Sequence, residues 1–128
     1  MLRDEIIASA GPDIMTLEAG RNYEMTFSFD KSFTGFQGHF PQHPVLPAFV
    51  QLMTGECAVR IRTARNWRLS RIHKAKFLKT VHPNQPVSVR WDERPINNNL
   101  QCNFTLLVGN EKAAVFTIEL TTEENSHA

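Results

Sequence analysis

The sequence predicts an α+β fold in which a curved antiparallel sheet wraps around one long helix. Three observations carry that prediction. One stretch, from Pro47 to about Ala64, has helical periodicity and is apolar over more than half its circumference, so it is surrounded rather than laid on a surface. A cleanly alternating strand precedes it, and several alternating segments separated by turn signals follow it. The 128 residues suit a single domain with one core, read as 1–128 with a polar, frayed tail over 122–128.

In chain order, Asp13 to Glu18 reads as a strand, with Ala19-Gly20 as its turn. Residues 22 to 29 alternate, Tyr23, Met25, Phe27 and Phe29 on one face and Glu24, Thr26 and Ser28 on the other. A Gly/Pro loop follows. Pro47 suits the first helical position. Leu46, Val50, Met53, Cys57, Ile61 and Ala64 recur at helical spacing, and Phe49, Leu52 and Val59 widen the stripe. Next, Ala75 and Phe77 oppose Lys74 and Lys76, and Val87, Val89 and Trp91 alternate with Ser88, Arg90 and Asp92. Leu100, Cys102, Phe104, Leu106 and Val108 share a face, as do Ala114, Phe116, Ile118 and Leu120. Turn signals lie at His82–Pro86, Pro95–Asn99 and Gly109-Asn110. A single sheet leaves an edge strand, and pairing edges across a two-fold axis is a common remedy, so a homodimer is expected.

Hydrophobic residues make up 41% and charged residues 21%, the balance of an ordinary globular protein. No apolar run approaches the ~20 residues that cross a bilayer. The start, Met1-Leu-Arg-Asp-Glu, carries acids where a secretion signal is basic, which predicts a cytoplasmic protein. Cys57 and Cys102 have no metal-type spacing and read as buried, reduced thiols. The sequon at Asn103 falls in a strand pattern and reads as chance. Net charge is +1, yet between Cys57 and Trp91 there is no Asp or Glu, against Arg60, Arg62, Arg65, Arg68, Arg71, Lys74, Lys76, Lys79 and Arg90. These are either solvated side chains with acids near them in space or a surface for an acidic or phosphate-bearing partner. Nucleic acid is not expected, because the run lacks interleaved aromatics and any nucleic-acid motif.

The candidate chemistry centres on His39, in Gly35-Phe-Gln-Gly-His-Phe-Pro-Gln-His-Pro-Val-Leu-Pro-Ala-Phe49. Prolines and glycines make such a loop stiff and specific. An imidazole held there suits proton transfer near neutral pH.

Gly38-His-Phe-Pro-Gln-His-Pro-Val-Leu-Pro47 resembles the active-site motif of the hot-dog-fold 3-hydroxyacyl-[acyl-carrier-protein] dehydratases. Ile72-His-Lys-Ala-Lys-Phe-Leu-Lys-Thr-Val-His-Pro-Asn-Gln-Pro86 is similar to that family's second conserved stretch. The resemblance implies a hot-dog fold and dehydration of a 3-hydroxyacyl thioester, on acyl carrier protein or coenzyme A, to the trans-2-enoyl thioester. It implies service in fatty acid or polyketide-type lipid synthesis, with no metal or redox cofactor. It places His39 as general base. Phe40, Pro47, Ala48 and Met53 would line the substrate site, and an N–H at the helix start, near Ala48, would stabilise the enolate oxygen. Arg68, Arg71, Lys74 and Lys76 would face the acidic carrier protein.

Two positions depart from the resemblance. Ala48 stands where that family has glycine. Met53 stands fourteen residues after His39, where the family has a catalytic Asp or Glu, and a thioether cannot donate a proton. Glu56, about one helical turn further along, is the nearest replacement. If ringed by Phe49, Leu52, Met53 and Val59, it would be desolvated and able to act as an acid. Alternatively it pairs with Arg60 at i+4. His43 lies on the surface or shapes the entrance, His73 and His82 read as structural, and Gln51 and Thr54 are candidates to hold a water. The competing functions are a binding protein that keeps the acyl-thioester pocket without efficient chemistry, and a hot-dog thioesterase relying on Glu56.

Overall fold

The computed structural model describes residues 2–17, 22–36 and 44–122. A short helix α1 (Leu2–Ala8) leads into β1 (Ala10–Leu17) and β2 (Asn22–Ser28), and a 3-10 turn (Thr34–Phe36) follows. Then come the long helix α2 (Ala48–Thr63) and four strands: β3 (Arg68–Phe77), β4 (Pro86–Ile96), β5 (Asn99–Val108) and β6 (Glu111–Thr121). The strands form one sheet in the order β1-β2-β4-β5-β6-β3, every pairing antiparallel. The predicted α+β class is the observed one.

The alternation read from the sequence sets which face of the sheet is buried. Met25, Phe27, Val87, Val89, Trp91, Cys102, Phe104, Leu106, Phe116, Ile118 and Leu120 all lie inside. Trp91, Phe104 and Phe116 stack in succession across β4, β5 and β6, with ring centroids 5.8 and 5.1 Å apart. Helix α2 lies against that stack at Gly55. A Cβ there would meet the Phe104 and Phe116 rings at 3.1 Å, so the missing side chain sets how closely helix and sheet approach. From Val50 to Val59 every residue of α2 is buried, as an apolar stripe over more than half the circumference predicts, and the polar Gln51, Thr54 and Glu56 are buried with it.

Three elements differ from expectation. Helix α1 was not foreseen; its seven residues bury only Ile6, too little apolar periodicity to stand out. Strand β3 begins at Arg68 rather than near Lys74. It is an edge strand with register shifts at Leu69/Arg71 and Ile72/Lys74, which break the two-residue alternation that marks a strand. Pro47 is the N-cap rather than the first helical residue, with extended backbone at ψ 152°. Its fixed φ suits either position, and the extended ψ turns the incoming chain away from the helix axis.

The tight hairpins use residues that tolerate positive φ: Asn97 and Asn98 (φ 49° and 71°) join β4 to β5, and Gly109 (φ 63°) joins β5 to β6. Both cysteines are free and buried. Burial pushes the Cys57 thiol up to about 12 and raises that of Cys102 further. Among the described residues no helix is long and apolar enough to cross a membrane.

Candidate active site at the start of the long helix

His39, Phe40 and His43 lie outside the described residues, so the structure gives the frame of their loop. Upstream, Phe29, Phe33 and Phe36 form an aromatic cluster, with successive centroids 4.8 and 5.7 Å apart. Downstream, the β3–β4 connection clamps the chain entering α2. The Leu46 N–H donates to Val81 O at 2.8 Å, and His82 Nδ1 lies 3.0 Å from Pro44 O. The reading of His82 as structural gains a specific content: it fixes the exit of the His39 loop.

Pro47 supplies no side-chain cap to α2. The first N–H groups of a helix have no intrahelical partner, so this terminus offers donors and the positive end of the helix dipole. A pocket of about 370 Å³ opens there, lined by Val45, Leu46, Pro47, Ala48, Gln51, Phe77, Leu78, Lys79 and Thr80. Pro47 and Ala48 are both among its lining residues. Phe49 beside them is 60% exposed.

Met53 does not line this pocket. It is 5% exposed and belongs to the core. Thr54 bonds back to its own helix, its hydroxyl donating to Val50 O at 2.8 Å.

Glu56 is fully buried, but its surroundings are not the apolar ring expected. Arg3 of α1 grips the carboxylate with two donors, Nε at 2.5 Å and Nη2 at 3.2 Å. The Leu69 N–H at the start of β3 donates at 2.8 Å, and Arg60 Nε lies 3.7 Å away. The i+4 partner is thus present as the weaker contact. The dominant one, Arg3, is 53 residues distant in sequence and nothing in the local pattern announces it.

The family model described as ApeI-like, ApeI dehydratase, matches residues 16–119, spanning both the His39 loop and α2. The chain belongs to the ApeI-like dehydratase family. No curated protein matches it. Among solved structures it is similar to the dehydratase heterocomplex ApeI:P of Xenorhabdus doucetiae, with TM-score 0.66 and 21% identity over 87% of this chain and 98% of that one. It is equally similar to an uncharacterized protein of Erwinia carotovora subsp. atroseptica, with TM-score 0.66 and 21% identity over 90% and 94%. The E. coli PaaI protein from the phenylacetic acid degradation operon follows, with TM-score 0.64 and 11% identity over 93% and 88%. The shared architecture is the hot-dog fold.

In this ApeI-like chain the long basic run divides in two. Arg60 Nε bonds Trp67 O at 2.7 Å, and Arg62 forks onto Glu93, Nε at 2.6 Å, while lying over the Tyr23 ring. Lys79 pairs with Glu111, and Arg90 with Glu24. These follow the solvated, acid-paired reading. Arg68, Arg71, Lys74 and Lys76 all project from the edge strand β3 and are exposed. His73, on the same strand, meets Glu119 at 3.4 Å. Among the described residues no group of three or more His, Cys, Asp or Glu is placed to hold a metal ion.

Proposed function

We propose that this protein dehydrates a 3-hydroxyacyl thioester to the trans-2-enoyl thioester, with His39 as general base. The observation that carries the reading is the ApeI-like dehydratase match running through the Gly38-His39-Phe40-Pro41 loop into a helix whose uncapped N-terminus opens on a pocket. His39 takes the proton from C2 while the thioester oxygen gains charge, and the N–H groups at the start of α2, around Ala48, stabilise that charge. The electron pair left at C2 forms the C2=C3 bond, and the C3–O bond breaks. The departing hydroxyl takes the proton back from His39 and leaves as water. Phe40, Pro47 and Ala48 line the acyl path. No metal or redox cofactor enters this scheme, since phosphopantetheine arrives with the substrate.

Met53 and Glu56 supply no acid in this scheme. Met53 has no proton to give, and Glu56 is committed to Arg3, Arg60 and the Leu69 N–H, so its role is to anchor α1 and β3 to α2. The substrate carrier is an acyl carrier protein in the cytoplasm, met by Arg68, Arg71, Lys74 and Lys76. The active form is a homodimer joined along β3, whose open edge carries the exposed Ile72 and Phe77, with Leu78 just beyond it.

The test is formation of the enoyl absorbance from 3-hydroxyacyl-carrier protein. Turnover is expected in the wild type and absent in His39→Ala. A wild type inert toward short, medium and long chains overturns the reading. Met53 favours a second reading, acyl-thioester binding without turnover. Tight binding with no enoyl product, unchanged by His39→Ala, selects it. Charge reversal at Arg68, Arg71 and Lys74 is expected to weaken carrier-protein binding and flatten its salt dependence.

A further inference from the structure

Gln51 lines the pocket at the start of α2, is 3% exposed, and has one amide atom engaged: Nε2 donates to Leu46 O at 3.1 Å. A backbone carbonyl only accepts, so the amide orientation is fixed by chemistry, and Oε1 is left as the atom Gln51 has to offer. Oε1 is buried without a partner among the described residues. Buried amide oxygens are almost always satisfied, and leaving one open costs folding free energy. The other polar side chains of the pocket are occupied, Lys79 by Glu111 and Thr80 by His82. Among the described residues, the start of α2 thus brings together N–H donors that Pro47 does not cap and a pocket-lining glutamine whose buried Oε1 has no partner.

We propose that Gln51 Oε1 accepts a hydrogen bond from the 3-hydroxyl of the acyl chain and is the specificity determinant for hydroxylated over saturated thioesters. This deepens the function proposed above and rests on it. A 3-hydroxyacyl thioester carries an acceptor on C1 and a donor on C3, the complement of the N–H donors at the start of α2 and of Gln51 Oε1. Met53, in the position that resembles a carboxylate site, makes no such bond. By holding the hydroxyl through its hydrogen, Gln51 leaves the oxygen lone pairs free for the proton that His39 carries from C2. The water that departs then consists of the hydroxyl, with its own hydrogen, and that proton. Gln51 itself gains and loses none.

The experiment compares binding of 3-hydroxyacyl- and saturated acyl-pantetheine of matched chain length by titration calorimetry, every protein carrying His39→Ala so that the hydroxylated ligand is not turned over. Folding is checked by circular dichroism, and wild type denotes Gln51 in that background. The wild type is expected to prefer the hydroxylated ligand about tenfold, the worth of one well-placed hydrogen bond. Gln51→Met, similar in length and lacking an acceptor, is expected to lose that preference while binding the saturated ligand within about twofold of wild type. Gln51→Glu keeps an acceptor and gives up the Nε2 donor to Leu46 just as Met does. It is expected to retain the preference, which separates reading of the hydroxyl from bracing of the loop. Equal loss of both ligands in Gln51→Met assigns Gln51 to the loop or to the pantetheine amides and overturns the inference. A wild type that binds both ligands equally also overturns it and leaves the dehydratase reading standing. A wild type that binds neither overturns both.

Discussion

The two ends of α2 are built on opposite principles. Toward its C-terminal half every charge is answered. Glu56 has Arg3, Arg60 and the Leu69 N–H, Arg62 has Glu93 and the Tyr23 ring, and the Ala64 N–H returns to Arg60 O. At its N-terminal end, among the described residues, Pro47 gives no side-chain cap, Gln51 Oε1 has no partner, and Phe49 is 60% exposed. The same helix thus anchors the fold with one half and leaves the other chemically unspent. Binding surfaces require that imbalance, because groups already satisfied by the protein have nothing left for a ligand.

The largest effect that can break this comparison is Glu56→Ala. It takes the carboxylate from Arg3 and from the Leu69 N–H and empties a fully buried site, and is expected to cost about 3 kcal/mol in denaturant unfolding. A loss under about 1 kcal/mol would mean the anchored half is not anchored by this carboxylate.

Next comes the alkaline limb of stability. The thiols of Cys57 and Cys102 ionise near 9.0 when unfolded and are held above that in the fold. A raised folded value means stability is whole below that pH and falls as pH rises beyond it. By pH 10 each thiol is expected to cost about 1 kcal/mol. The Cys57→Ala, Cys102→Ala double variant should flatten this limb, read as unfolding midpoint against pH.

Smaller still is Ala64→Gly. Ala64 closes α2 in the left-handed region at φ 55°, where glycine carries no penalty. A gain of about 0.5–1 kcal/mol is expected. At the unspent end, Phe49→Ser should leave stability within about 0.5 kcal/mol in denaturant unfolding, since the ring is 60% exposed. A loss above about 1 kcal/mol would mean that this end is packed rather than open.

What was legible in the sequence follows the same division. The inward faces of β2, β4, β5 and β6 were read from alternation because the apolar residues of one face are buried while most residues of the other keep some exposure. The helix was read to within a residue at either end because its apolar stripe spans most of its circumference. Arg3 was not read, since its partner is remote and α1 buries one side chain. Nor was the first half of β3, where two irregularities interrupt the alternation on an edge that one neighbour alone supports. At the site, the motif singled out Pro47 and Ala48, which line the pocket. The open acceptor of Gln51 was not, because a glutamine at position 51 looks the same in sequence whether its oxygen is paired or open. His39 itself falls outside the described residues.

The grip of Arg3 on Glu56 also sets an order of events in time. A seven-residue helix does not persist alone in water. Its docking site, the carboxylate of Glu56 backed by the N–H of Leu69, comes into being only when α2 and the start of β3 have come together. Helix α1 is therefore among the last elements to order and the first to leave. Removing the Arg3 guanidinium should hasten unfolding and barely touch refolding, the kinetic signature of a contact absent from the folding nucleus.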